Sequence, residues 1–162
     1  MIGKHIVYHI SVCPFSQRLE ILLALRNQSN LVEFRVVDIT KPRSPSLLAK
    51  TQGTTALPVL ETPDGTILKE SLVILRYLDE VIQGPMLRRK DPLEHAVEAM
   101  LIAREGAFTM AGYQFMMNQE RDQRDACAEK LLSLYRDIDV FLRQHSELAP
   151  ISTGHLGLTK EA

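Results

Sequence analysis

An apolar, β-branched run, Ile6-Val7-Tyr8-His9-Ile10, leads into Cys13-Pro14, and a leucine-rich helical pattern from Leu19 to Leu25 leads away. We read Ile6 to Val12 as a buried strand and Pro14 to about Arg26 as a helix. A cysteine at such a junction faces backbone N–H groups of the helix's first turn. Those donors and the positive end of the helix dipole favour thiolate over thiol. Pro14 suits the first helical position, where its missing N–H costs nothing. The chain thus offers an activated sulfur, and what surrounds it decides what that sulfur attacks.

Further along, Val32-Glu33-Phe34-Arg35-Val36-Val37 reads as a second strand. A helix with its core side near Leu47, Leu48 and Ala49 follows the Pro42-to-Pro45 turn. Strand, crossover helix and strand imply a parallel pair with a right-handed connection. Pro58-Val59-Leu60-Glu61 and Ile67-Leu68-Lys69 flank Thr62-Pro63-Asp64-Gly65-Thr66, an Asp-Gly turn that predicts an antiparallel hairpin. A helix from Ser71 to Ile82 follows, with Leu72, Leu75, Leu78 and Ile82 near helical spacing. The order βαβαββα is that of a thioredoxin-like domain over residues 1–82.

Gln83-Gly84-Pro85 stops that pattern, and 83–91 reads as a linker. Residues 92–146 carry helical periodicity alone, giving an all-α second domain of two long helices. The first carries Leu93, Val97, Met100, Leu101, Arg104 and Phe108; the second, from about Asp125 to His145, carries Leu131, Leu134, Tyr135, Ile138, Phe141 and Leu142 on one face. Residues 147–162 show no periodicity and read as an irregular tail.

A hydrophobic share of 45% is enough for a packed core, and a net charge of -1 argues against a nucleic-acid partner. The start lacks the apolar stretch of a signal peptide, and no run is long enough to span a bilayer. Two distant cysteines make no disulfide framework, so a reducing cytoplasm is the expected compartment. The five histidines share no metal-site spacing, and no metal is expected.

Three motifs stand in order: Cys13-Pro14-Phe15-Ser16-Gln17-Arg18, Thr55-Ala56-Leu57-Pro58-Val59-Leu60-Glu61, and Lys69-Glu70-Ser71-Leu72-Val73-Ile74-Leu75-Arg76-Tyr77-Leu78. With the helical half behind them, they make the chain resemble the glutathione S-transferases, in particular the cysteine-based, omega-like branch and its bacterial relatives. The resemblance implies Cys13 as the catalytic residue and glutathione, bound near Phe15, as co-substrate. It implies a cis Pro58, with the backbone of Leu57 pairing with the tripeptide like an added strand. Glu70 and Ser71 would hold the γ-glutamyl ammonium and carboxylate, Ser71 also capping its helix. Arg43 is the candidate cation for the glycyl carboxylate, with Lys41 and Lys50 as others.

Ser16 stands where a Cys-x-x-Cys pair has its second thiol, so no internal disulfide forms there. The implied chemistry is monothiol transfer or reduction through a Cys13–glutathione mixed disulfide. Two alternatives remain: conjugation of glutathione to a hydrophobic electrophile, with Ser11 or Tyr8 activating its thiol, and a non-catalytic interaction module. Met110, Met116 and Met117 fit a substrate pocket or plain core packing. Cys127 reads as surface or packing, and Leu87-Arg88-Arg89-Lys90 as a solvated connection. The helical half is shorter than the family's, which points to under-covered apolar faces and a homodimer.

Overall fold

The computed structural model describes residues 4–146 apart from 85 and 88. It divides into two compact units, 1–87 and 88–162. The expected irregular tail at 147–162 lies outside the described residues.

The first unit is built on β1 (His5–His9), α1 (Pro14–Leu25), β2 (Val32–Val36), α2 (Pro45–Lys50), β3 (Val59–Glu61), β4 (Ile67–Leu68) and α3 (Ser71–Val81), with a 3₁₀ turn at Ser29–Leu31. The sheet order is β2-β1-β3-β4, with β1 and β2 parallel and the other two pairs antiparallel. The thioredoxin-like order is therefore present. β1 is shorter than its apolar run suggests. It ends at His9, and Val12, 81% exposed, sits in a turn that the Cys13 N–H closes on the Ile10 carbonyl at 3.0 Å.

Alternation along the strands decides the two faces of the sheet. Val7 and Leu60 pair across β1 and β3 and join Leu19, Leu22, Leu23, Val32, Ile74, Leu78 and Ile82 in one core. Each such buried side chain contributes about 2 kcal/mol. The buried stripe of α3 is centred on Ile74 and Leu78, while Leu72 and Leu75 are half-buried. Tyr8 and Glu61 belong to the other face and meet α2 through Lys50. The Lys50 contact is polar, and α2 fully buries none of its six residues: of the expected core side, Leu47 and Leu48 are half-buried and Ala49 is exposed.

The β3–β4 turn follows its sequence signal. Gly65 takes φ 86, a left-handed conformation open to glycine, and its N–H bonds the Thr62 carbonyl at 2.9 Å. Asp64 accepts from the Thr62 hydroxyl and from the Thr66 N–H.

The second unit contains α4 (Pro92–Ile102), α5 (Glu105–Met117), a 3₁₀ turn at Arg121–Gln123 and α6 (Arg124–Gln144). Asp91 caps α4 by accepting from the Leu93 and Glu94 N–H groups, with Pro92 at the first position. The single helix expected after Pro92 is two helices. The Arg104 N–H turns back to Leu101 at 3.0 Å, and its guanidinium takes the Met100 carbonyl that an unbroken helix would use. Phe108 meets Tyr135 edge-on at 4.8 Å, and Arg104 lies 4.3 Å over the Phe141 ring. These contacts run in opposite chain order, so α5 and α6 are antiparallel. In the run 87–90, expected to be solvated, Lys90 is exposed and Arg89 is not. The Arg89 side chain is 17% exposed and lies 3.9 Å from Glu94.

Candidate active site

Strand register brings the motif residues together. Tyr8 pairs with Val59, so one step further His9 stands opposite Pro58. Leu60 pairs with Leu68, so the chain leaves β4 toward Glu70–Ser71 at the end of the sheet where Pro58 enters β3. The parallel pair His9–Val36 sends the β2–α2 loop out at this end as well, and the Val37 N–H bonds the His9 carbonyl at 2.8 Å. One end of the sheet therefore carries the Cys13 turn, Leu57–Pro58, Glu70–Ser71 and the loop with Arg43.

Cys13 is the N-cap residue of α1, at φ −80 and ψ 122, with Pro14 at the first helical position. Its carbonyl accepts the Ser16 and Gln17 N–H groups at 2.9 and 3.0 Å. The Ser16 amide is therefore turned into the helix and is not one of the unpaired donors expected around the sulfur. The Cys13 side chain makes no capping bond, and the residue is half-buried. Ser16 is fully buried, and its hydroxyl has no partner among the described residues. Phe15 is half-buried under the Arg18 guanidinium, 5.2 Å from its ring centre.

The Leu57–Pro58 peptide is cis. Pro58 is buried and Leu57 half-buried. Glu70 occupies φ 64, ψ 111, a conformation rare for a residue with a side chain. Ser71 is not the cap expected of it. Glu70 holds the N-cap position, and no side-chain bond caps the helix.

Arg43 lines a cavity of about 480 Å³ with Tyr8, Arg35, Lys41 and Lys50. Lys50 donates to both oxygens of Glu61 at 2.8 Å, and Lys41 stands 3.1 Å from Asp38. Arg43 donates instead to the Asp38 backbone carbonyl at 3.2 Å. The Lys50 ammonium, and then the Tyr8 hydroxyl at 2.7 Å, hold the Glu61 carboxyl below its ordinary range. Tyr8 is thereby committed to the α2 face of the sheet, and Ser11 is exposed in the turn.

Two polar contacts escaped sequence reading. The Arg26 guanidinium, 2% exposed, bonds the Asp79 carboxylate at 3.0 Å and the Asp79 and Ile82 carbonyls at 2.6 Å. Charged residues at apolar-stripe positions, Arg26 after Leu22–Leu23 and Asp79 after Leu78, were the available signal. The second, between His9 and Glu20, had none. Among the described residues no group of three or more side chains could hold a metal, and no helix is long and apolar enough to cross a membrane.

A four-stranded mixed sheet with a cysteine at its first strand–helix turn and a cis-proline before β3 defines a thioredoxin-like domain. The family model described as glutathione S-transferase, N-terminal domain, matches residues 7–85. Glutathione S-transferase 2 of Saccharomyces cerevisiae is 36% identical over 100 residues, 60% of this chain and 42% of that protein. Glutathione S-transferase omega-1 of Sus scrofa is 30% identical over 95 residues, 59% of this chain and 38% of that protein. The crystal structure of glutathione transferase Omega 2C from Trametes versicolor shares the fold, at a TM-score of 0.72 and 19% identity, covering 86% of this chain and 62% of that one. Over this amino-terminal domain, residues 7–85, the chain is similar to the glutathione S-transferases. It spans about four-tenths of the length of those two curated relatives.

Proposed function

We propose that the chain is a glutathione-dependent thiol transferase or reductase in which Cys13 is the nucleophile. The observation that carries this reading is the convergence of Cys13, Leu57–Pro58 and Glu70–Ser71 at one end of the sheet. The start of α1 favours negative charge at its cap residue, which suits a sulfur that must attack as thiolate. The Cys13 sulfur attacks the glutathionyl sulfur of a mixed disulfide, and the substrate thiolate leaves and takes up a proton. A second glutathione thiolate then attacks the Cys13 adduct, releasing glutathione disulfide and restoring the Cys13 thiolate. Ser16 in the place of a second thiol keeps the cycle monothiol.

In this reading the Leu57 backbone pairs with the cysteinyl part of glutathione and Phe15 borders it. Glu70 and Ser71 hold the γ-glutamyl end. Arg43 receives the glycyl carboxylate, which suits a guanidinium held by a carbonyl and not by a carboxylate. The Tyr8–Glu61 bond counts against a conjugating mechanism run by the Tyr8 hydroxyl. No metal enters the scheme.

The test is Cys13→Ser. We expect a loss of at least about a hundredfold in disulfide exchange with a glutathionylated substrate, because the nucleophile itself is removed. Retention on immobilised glutathione should persist. Full exchange activity in the variant would defeat the mechanism. Conjugation retained with exchange lost would support the conjugating alternative.

A further inference from the structure

We propose that His9 and Glu20 form a positioning pair that sets where the Cys13 sulfur stands, an inference that takes its purpose from the thiol-transfer reading above. His9 is the last residue of β1 and is 4% exposed. Its Nδ1 lies 3.2 Å from Glu20 Oε1 on α1 and has no aligned hydrogen bond among the described residues. The ring packs edge-on against Phe34 of β2, 5.1 Å between centres. Its own carbonyl holds the Val37 N–H at 2.8 Å. His9 therefore touches the three elements that converge on the sulfur: the strand before it, the helix after it, and the strand leading to the Arg43 loop.

A buried imidazole nitrogen left without a partner is costly, and a neighbouring acceptor removes that cost. Glu20 is that acceptor. Its side chain is 44% exposed and borders a cavity of about 360 Å³ shared with His9, Ser11 and Phe34, so it has room to swing into line. The remaining packing between β1 and α1 is apolar, through Val7, Leu19 and Leu23. Apolar contact is non-directional, so this close packing supplies no donor–acceptor tie between β1 and α1. Once Glu20 swings into line, an N–H···O bond two helical turns past Cys13 gives β1 and α1 a directional tie, beside the bonds that hold Arg26 to Asp79 and Ile82 at the far end of the helix. Because β3 is registered on β1, holding α1 against β1 also fixes the sulfur relative to Leu57.

The test reads the sulfur directly. In a Cys127→Ser background Cys13 is the remaining thiol, since the sequence has two cysteines. The rate of alkylation by iodoacetamide is measured across pH for this parent and for Glu20→Leu, His9→Phe, the double variant and Glu20→Gln. We expect Glu20→Leu and His9→Phe each to slow alkylation about fivefold, the scale of one hydrogen bond, and to displace the pH–rate midpoint. The double variant should be no slower than the slower single, because both changes break one interaction. Glu20→Gln, which keeps an acceptor, should return the rate to within about twofold of the parent.

Single-variant profiles that superimpose on the parent, or losses that multiply in the double variant, overturn the proposal. If His9→Phe fails to fold, the contrast between Glu20→Leu and Glu20→Gln decides alone, since Glu20 is partly exposed. Iodoacetamide needs no glutathione, so the two readings fail separately. A coupled pair without thiol transfer would sink the function, and thiol transfer with an uncoupled pair would sink this inference.

Discussion

At the scale of single residues, Glu70 shows how a site departs from what its sequence prefers. A side chain at φ 64 is strained, and the Glu70 carbonyl meanwhile accepts the first helical bond of α3, from the Ile74 N–H. If the carboxylate is kept for a ligand, removing it should trade binding for stability. We expect Glu70→Gly to raise stability in urea by about 1 kcal/mol, since glycine takes this conformation without steric cost. The same variant should lose retention on immobilised glutathione. Unchanged retention would remove Glu70 from the site. The residue type and motif were legible in the chain; the backbone angle was not, because no local pattern around Lys69-Glu70-Ser71 demands a positive φ.

Between elements, two polar contacts carry packing that apolar surface does not. Lys50–Glu61–Tyr8 ties α2 to the sheet, as α2 fully buries none of its own residues. The Glu61 carboxyl titrates below its unfolded value, mainly because Lys50 bonds it. Its contribution is therefore fully present above the ordinary carboxylate range and lost as pH falls through the lowered folded value. Glu61→Gln should flatten the acid limb of the curve of Tm against pH and leave the curve near neutral pH parallel to the parent's. An unchanged acid limb would show that Glu61 adds nothing there. Arg26–Asp79 joins the end of α1 to the end of α3 and is nearly closed to water. Arg26→Met takes one cation from the buried Asp79 carboxylate, and we expect a loss of about 3 kcal/mol in urea unfolding. Replacing both partners by apolar residues should recover most of it.

For the whole molecule, the open matter is association. Met110, Met116 and Met117 are 55%, 78% and 71% exposed, which excludes plain core packing for them. Leu132 and Val140 on α6 are about half exposed as well. Such side chains are a liability unless something covers them, and the homodimer expected from under-covered helical faces is one cover. Sedimentation equilibrium should show a concentration-dependent dimer, weakened by Met116→Gln with Met117→Gln. A monomer across the whole accessible concentration range would reject the dimer. Placement in the cytoplasm stays an expectation drawn from two distant cysteines.

Hydrophobic period and turn chemistry act over a few residues, and whatever depends on them was present in the chain. The element order βαβαββα, the Asp64–Gly65 hairpin, the Pro14 helix start and the place of Cys13 are of this kind. Features that need two distant segments were decided in the folded molecule. The Arg104 guanidinium at the helix break lies over Phe141 of α6, while the apolar spacing around it runs on unbroken. The polar seating of α2 depends on Glu61 and Tyr8 reaching across from two strands, and the His9–Glu20 contact on how β1 meets α1. Local propensity is blind to such pairs because their energy is realised after chain closure has brought them within hydrogen-bonding distance.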